Sequence, residues 1–292
     1  MKKIVILVLS LLCITSVFAT DLFEMVEIGD IKGIKQAVLE GADVNALDVE
    51  GVSPLLYAIL YIYENATDDY RIIETLLNAG ADINQQIRTS YDEVFTPLSL
   101  AVMLFIDYYE PNVKNRFMNY GLIAYLIEQG AHGNVRVEGY PILIAPLVTG
   151  SPDIAALMMQ SGADVNARSY SGQTVLSYFL EEIYDNEDHP ITDSHYEVFS
   201  MLLDAGLNVN AWDKNGMNAL MHAAENHDER MVRFLLNSGA DPKLISPDGE
   251  TAFTYGSHNQ LLAGTDTFGI LCDAHYQAMD MHINAMQQYF IL

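Results

Sequence analysis

Gly162-Ala163-Asp164-Val165-Asn166 is the stretch that decides the fold, because close copies of it punctuate the chain. The copies are Gly41-Ala42-Asp43-Val44-Asn45, Gly80-Ala81-Asp82-Ile83-Asn84, Gly130-Ala131-His132-Gly133-Asn134, Gly206-Leu207-Asn208-Val209-Asn210 and Gly239-Ala240-Asp241-Pro242-Lys243. From one Gly to the next the spacings are 39, 50, 32, 44 and 33 residues. A period near 33 with insertions marks an array of small stacked units. Each copy reads as a helix ending. Counting back from the Gly, positions −3, −4 and −7 are apolar: Leu77, Leu76 and Ile73; Ile127, Leu126 and Ile123; Leu203, Leu202 and Phe199; Leu236, Leu235 and Val232. That is one face of a helix. The Gly supplies the left-handed residue that ends it, and the Asp and Asn that follow turn the chain outward by bonding their own backbone.

A second signature follows five of the six copies, usually eight residues past the Asn: Ser53-Pro54-Leu55, Thr96-Pro97-Leu98, Thr174-Val175-Leu176, Asn218-Ala219-Leu220 and Thr251-Ala252-Phe253. A hydroxyl or amide at the N-cap, with Pro at the first helical position in two of them, opens a new helix. The unit is helix, turn, helix, outward loop. It resembles the ankyrin repeat, whose consensus carries Thr-Pro-Leu-His at its first helix and Gly-Ala-Asp-Val-Asn after its second. The resemblance spans roughly residues 21–265 and implies an all-α solenoid of stacked helix-turn-helix units with hairpin-like outward loops. The consensus His is replaced by Leu56, Ser99, Ile144, Ser177, Met221 and Thr254. Pro141-Ile142 stands where Thr-Pro belongs, with Pro146 in the helix that follows, so the fourth unit is expected to be the least regular.

The domain plan has three parts. Residues 1–19 read as a signal peptide: Lys2 and Lys3 precede an apolar run from Ile4 to Leu12, and Val17-Phe18-Ala19 suits a signal peptidase. The run is short for a membrane span of about 20 residues, and Leu12 before Cys13 does not suit lipidation. Residues 20–265 hold six to seven units, with inserts near 64–69, 107–117 and 184–193, all at the connection between the two helices of a unit. Equivalent loops of a stack line up, so these inserts are expected to form one ridge. Residues 266–292 read as a C-terminal capping helix that closes the open end of the array.

Half of the residues are hydrophobic, so the chain can bury a core despite its acidity. The formal net charge is −25, and removing Lys2 and Lys3 with the leader makes it −27. Such an excess excludes general nucleic-acid binding, which needs Lys and Arg at phosphates, and argues against adhesion to anionic lipid. Without the leader Cys272 is the single thiol, so no internal disulfide can form. The expected location is exported, periplasmic or secreted, with no transmembrane segment in the mature chain, which is expected to be a monomer.

No catalytic set emerges. Gly-x-Ser-x-Gly, a phosphate-cradling loop and Cys-x-x-Cys are all missing from the sequence. Asp185, Glu187, Asp188 and His189, with Asp193 and His195 nearby, could hold a hard cation, but they lack the spacing of a calcium loop and read first as a solvated acidic insert. The pairs His275/His282 and His222/His227 suggest no third ligand. No enzyme activity, metal or cofactor is therefore expected. What remains is the row of outward loops. Counting from the anchor Asn, the second residue is Leu47, Arg168 or Trp212 and the fourth is Val49, Tyr170 or Lys214, alternate positions that project from an extended tip. Tyr and Trp dominate binding hot spots. The candidate partner-binding residues are Leu47, Tyr91, Arg168, Tyr170, Trp212 and Asp213. The expected function is binding of a basic protein in the cell envelope, as an inhibitor or immunity protein would; the alternatives are a metal-binding or enzymatic protein using the acidic insert 184–195, or a structural envelope protein.

Overall fold

A computed structural model describes residues 21–88, 94–106, 116–137, 139–184, 191–226 and 229–290. Seven helix pairs follow one another along the described chain. They are α1 Leu22–Glu27 with α2 Ile31–Leu39, α3 Pro54–Glu64 with α4 Arg71–Asn78, α5 Pro97–Ile106 with α6 Arg116–Glu128, and α7 Ile144–Thr149 with α8 Pro152–Gln160. Then come α9 Val175–Tyr184 with α10 Asp193–Asp204, α11 Ala219–Asn226 with α12 Glu229–Asn237, and α13 Ala252–Gly256 with the long α14 Asp266–Phe290. Two antiparallel hairpins of two-residue strands interrupt the helices: β1 Ile87–Arg88 with β2 Val94–Phe95, and β3 Arg136–Val137 with β4 Tyr140–Pro141. The described residues form two compact units. The first runs to Ala145 and includes Asp153–Asp164; the second comprises Pro146–Pro152 and the chain from Val165.

The repeated pentapeptide has one structural task per residue. Its glycines all take left-handed backbone, with φ between 90° and 96°. In each, the following amide closes back over the helix end, as Ala81 N–H does on Leu76 C=O at 2.9 Å and Leu207 N–H on Leu202 C=O at 3.0 Å. The third residue holds the turn: Asp82 Oδ1 accepts from Asn84 N–H at 2.8 Å. The anchor Asn reaches the next copy. Asn45 donates to Gly80 C=O at 3.0 Å and accepts from Asp82 N–H at 2.8 Å, and Asn84 does the same to Gly130 and His132. In the second unit Asn166 binds Gly206 and Asn208, and Asn210 binds Gly239 and Asp241, in the same way. A side-chain amide thus satisfies one orphan carbonyl and one free amide of its neighbour.

The buried stripe of each second helix lies at −4, −7 and −8 from the Gly: Leu76, Ile73 and Ile72; Leu126, Ile123 and Leu122; Leu202, Phe199 and Val198; Leu235, Val232 and Met231. The expected −3 residues Leu77, Ile127, Leu203 and Leu236 are only half-buried. At about 100° per residue, −8, −4 and −7 fit within roughly a 100° arc, and −3 falls about 40° outside it. In the second unit the core gains aromatic edges: Phe179 meets Phe199 at 4.6 Å and Tyr196 meets Phe234 at 5.0 Å between ring centres.

Loss of the consensus His does not remove the helix openers. Ser99 and Thr96 bond each other's backbone amides at 2.8 and 3.1 Å. Ser177 with Thr174 and Thr254 with Thr251 stand in the same relation, so a hydroxyl completes the capping box. The fourth unit departs most. Pro141 does not open its helix; it pairs with Arg136 in the β3–β4 hairpin and α7 begins at Ile144. Pro146 then falls in the first turn of α7, where no amide donor is needed. Gly133, where four of the other copies have Val or Ile and one has Pro, allows a close backbone approach: its N–H bonds Ser161 C=O at 2.9 Å, and a methyl there would stand 2.1 Å from Ser161 Oγ. No helix among the described residues is long and apolar enough to cross a membrane.

Candidate functional site

Four outward loops are built on one plan. The third residue past the anchor turns inward and fastens the tip: Asp48 accepts from the amides of Glu50 and Val52 at 2.9 and 2.8 Å, and Asp213 from Asn215 and Met217 at 2.8 and 2.9 Å. Ser169 and Ser246 take the same place toward Gln173 and Glu250. A backbone bond closes each tip beneath, from Asp48 N–H to Val52 C=O at 3.0 Å and from Asp213 N–H to Met217 C=O at 2.8 Å. The tips are therefore ordered turns, and the residue after the inward one is exposed in all four.

Leu47 lies in the first unit, half exposed at 50%, next to a wholly exposed Val49. In the second unit Tyr170 is 78% exposed. Arg168 is exposed and donates to Gly172 C=O at 2.9 Å, bracing its own tip. Trp212 is half-buried, with Lys214 exposed beside it. A methyl at Gly172 would stand 3.6 Å from Lys214 Cβ, so adjacent tips here are in contact range. Tyr91 lies outside the described residues. Asp213 is a correction: its side chain is fully buried, so it anchors the tip from beneath and offers no carboxylate to a partner.

The second oxygen of these inward carboxylates is used too. Tyr57 OH donates to Asp48 Oδ2 at 2.6 Å; burial first and then that carboxylate push the phenol well above its ordinary pKa. In the second unit His222 Nε2 lies 2.7 Å from Asp213 Oδ2 and 3.9 Å from Glu181 Oε1. Burial alone would raise Asp213, but the bonds from His222 and from the Met217 and Asn215 amides outweigh it and hold the carboxyl below its usual range. Sequence reading set His222 beside His227, which lies outside the described residues, and missed Asp213 and Glu181. The nine-residue step shared by Asp48/Tyr57 and Asp213/His222 was the available signal.

Of the acidic insert and its neighbours, Asp193 and His195 are the described members. Residues 185–190, with Asp185, Glu187, Asp188 and His189, lie outside the described residues. His195 is buried and turned into a capping box: its Nδ1 accepts from Thr192 N–H at 3.0 Å and its Nε2 faces Val148 C=O at 3.4 Å. Burial lowers its pKa, partly offset by the Val148 carbonyl. Asp193 pairs with Arg230, whose guanidinium also lies 4.2 Å from the Tyr196 ring centre. His275 bonds Thr251 Oγ1 at 2.9 Å and packs on Phe253, while His282 is exposed, so these two do not converge.

The loop-and-helix plan has counterparts among known proteins. Residues 202–255 match the family described as ankyrin repeats (many copies). Human ankyrin repeat and SOCS box protein 6 is 32% identical over 140 residues, 44% of this chain and 30% of that protein. The chain thus spans about a third of the length of the first relatives it matches. The ankyrin repeat protein YahD of Escherichia coli (strain K12) is 26% identical over 217 residues, covering 73% of this chain and 92% of YahD. Among solved structures, the ankyrin repeat domain of Bcl-3 superposes with a TM-score of 0.60 at 21% identity, covering 88% of this chain and 99% of that one. The domain of human ASB11 gives 0.55 at 18% identity, covering 87% and 97%. The chain has the all-α ankyrin-repeat fold, and residues 202–255 match the ankyrin-repeat family.

Proposed function

We propose that the protein is exported to the cell envelope and there binds a basic protein partner through its outward loops, as an inhibitor or immunity protein binds a cationic toxin or hydrolase. The observation that carries this reading is the set of apolar and aromatic side chains held in solvent on fastened tips of a chain of net charge −25: Leu47, Val49 and Tyr170. An ordered tip loses little entropy on binding. A protruding tyrosine offers a large rigid contact, with Arg168 on the same tip and half-buried Trp212 on the next. The negative field supports a basic partner because opposite charge speeds encounter. Export rests on the lysine-led apolar leader of residues 1–19 and the Val17-Phe18-Ala19 end.

A pull-down from the native envelope fraction tests this, with the mature chain as bait and the double variant Leu47→Ala/Tyr170→Ala as control. The expected result is a basic protein held by the wild type, released at about 0.5 M salt, and depleted on the variant. Equal retention by wild type and variant would move the contact away from these loops.

A further inference from the structure

We propose that Glu181, Asp213 and His222 form a binding site for one divalent first-row metal ion of the Zn2+ type. The three side chains come from different places: Glu181 from α9, Asp213 from an outward tip and His222 from α11. Their ligand atoms lie within 4.8 Å of one another. Each carboxylate has one oxygen held by amide donors and the other turned toward His222. Asp213 Oδ1 accepts the Asn215 and Met217 amides, and Glu181 Oε2 accepts from Gln173 Nε2. The remaining pair, Asp213 Oδ2 and Glu181 Oε1, converge on His222 Nε2 at 2.7 and 3.9 Å. Outer bonds of this kind orient metal ligands. A tetrahedral ion with bonds of about 2.0–2.2 Å sets its ligand atoms roughly 3.4 Å apart, so the 2.7 Å gap opens and the 3.9 Å gap closes by well under an ångström, while the two carboxylate oxygens, within 4.8 Å of each other, draw in by at most about 1.4 Å. His222 then binds through Nε2 as the Nδ1–H tautomer, its bond to Asp213 giving way to the ion.

Burial and charge favour the same reading. The Asp213 and His222 side chains are 0% and 5% exposed, whereas Glu181 is 35% exposed. The site has a dry floor and one wall open to water, which leaves an entry path and room for a solvent ligand. Two carboxylates around one imidazole make a concentration of negative charge that a dication neutralises. Fastening the loop does not itself require the imidazole. In the first unit Tyr57 holds Asp48 Oδ2 in the same nine-residue register, and Tyr178 and Tyr255 occupy that register after Ser169 and Ser246. Only at 222 does the position carry a nitrogen ligand, and there a second carboxylate is within reach.

The full mature chain, stripped with a chelator, is titrated with Zn2+ by calorimetry and with Co2+ by visible absorption. The expected result is one saturable equivalent, with Co2+ giving the intense bands of a four-coordinate site. His222→Tyr copies the arrangement at Tyr57, so it should keep the melting temperature of the metal-free protein and lose that equivalent. Glu181→Gln, at a partly exposed side chain, should weaken binding at least tenfold and decides the matter if the tyrosine variant folds poorly. Absence of a saturable equivalent in the wild type, or one that Glu181→Gln and a folded His222→Tyr both retain, would overturn the site.

Discussion

Ser53 Oγ is the one buried side-chain polar atom without a hydrogen-bond partner among the described residues. Three positions on, Leu56 has no hydroxyl to return the cap, whereas Ser99, Ser177 and Thr254 accept from the backbone N–H of Thr96, Thr174 and Thr251. Ser53→Ala should therefore leave stability unchanged or raise it by up to about 1 kcal/mol, while Ser177→Ala should cost about 1–2 kcal/mol. Urea midpoints of the two variants compare them directly, and a loss at Ser53 equal to that at Ser177 would mean the hydroxyl is satisfied after all. His195 gives a pH signature. Its folded pKa is depressed by burial, so between that value and the unfolded one near 6.5 the folded state binds fewer protons. Its contribution is complete above about pH 6.5 and is lost as pH falls toward the folded value. Asp213, held below its usual range, adds a loss in more acid solution, below about pH 4. The melting temperature should drop between pH 7 and 5, and His195→Gln, which can still fill the capping box, should show a flatter profile. Parallel profiles would remove His195 as the cause.

At the scale of the element, the second helices carry the core. Leu202→Ala or Leu235→Ala should cost about 2–5 kcal/mol, the penalty for emptying a buried leucine site. Leu203→Ala and Leu236→Ala, one residue on and half-buried, should cost clearly less. Shortening the insert within residues 185–190, which spares α9 and the Thr192 cap of α10, should cost less than either core change, because loop length enters stability slowly. Denaturant melts rank the three kinds of variant, and a costlier insert deletion would mean that the insert belongs to the core. The helices and their order were legible because the Gly at each end and the capped opener at each start are local signals. The face each helix buries was legible to within one position: −3 is apolar and adjacent to the stripe, and only the neighbouring helices decide that −8 is covered more fully. Pro141 was misplaced for a different reason. A proline suits a helix opening and a hairpin edge equally, and pairing with Arg136 chose the second.

For the whole molecule, export and binding are the claims to test. Intact-mass analysis of the protein from its own cell should find a chain beginning at or near Thr20, and retention of residues 1–19 would remove the envelope location. The candidate surface was legible as alternation along a tip, which put Leu47 and Tyr170 outward. It was not legible that Asp213 faces inward, since that depends on the amides of its own turn and on His222, nine residues later in another element. The most direct test of the proposed function is the binding kinetics of the captured partner. Raising salt from about 0.05 to 0.5 M should slow association, because the Debye length falls to a few ångströms, and should leave dissociation nearly unchanged. Tyr170→Ala and Trp212→Ala should do the opposite, speeding dissociation, by about thirtyfold where the residue is a hot spot worth roughly 2 kcal/mol. An association rate indifferent to salt, together with wild-type dissociation in both variants, would contradict an acidic surface that grips its partner through these loops.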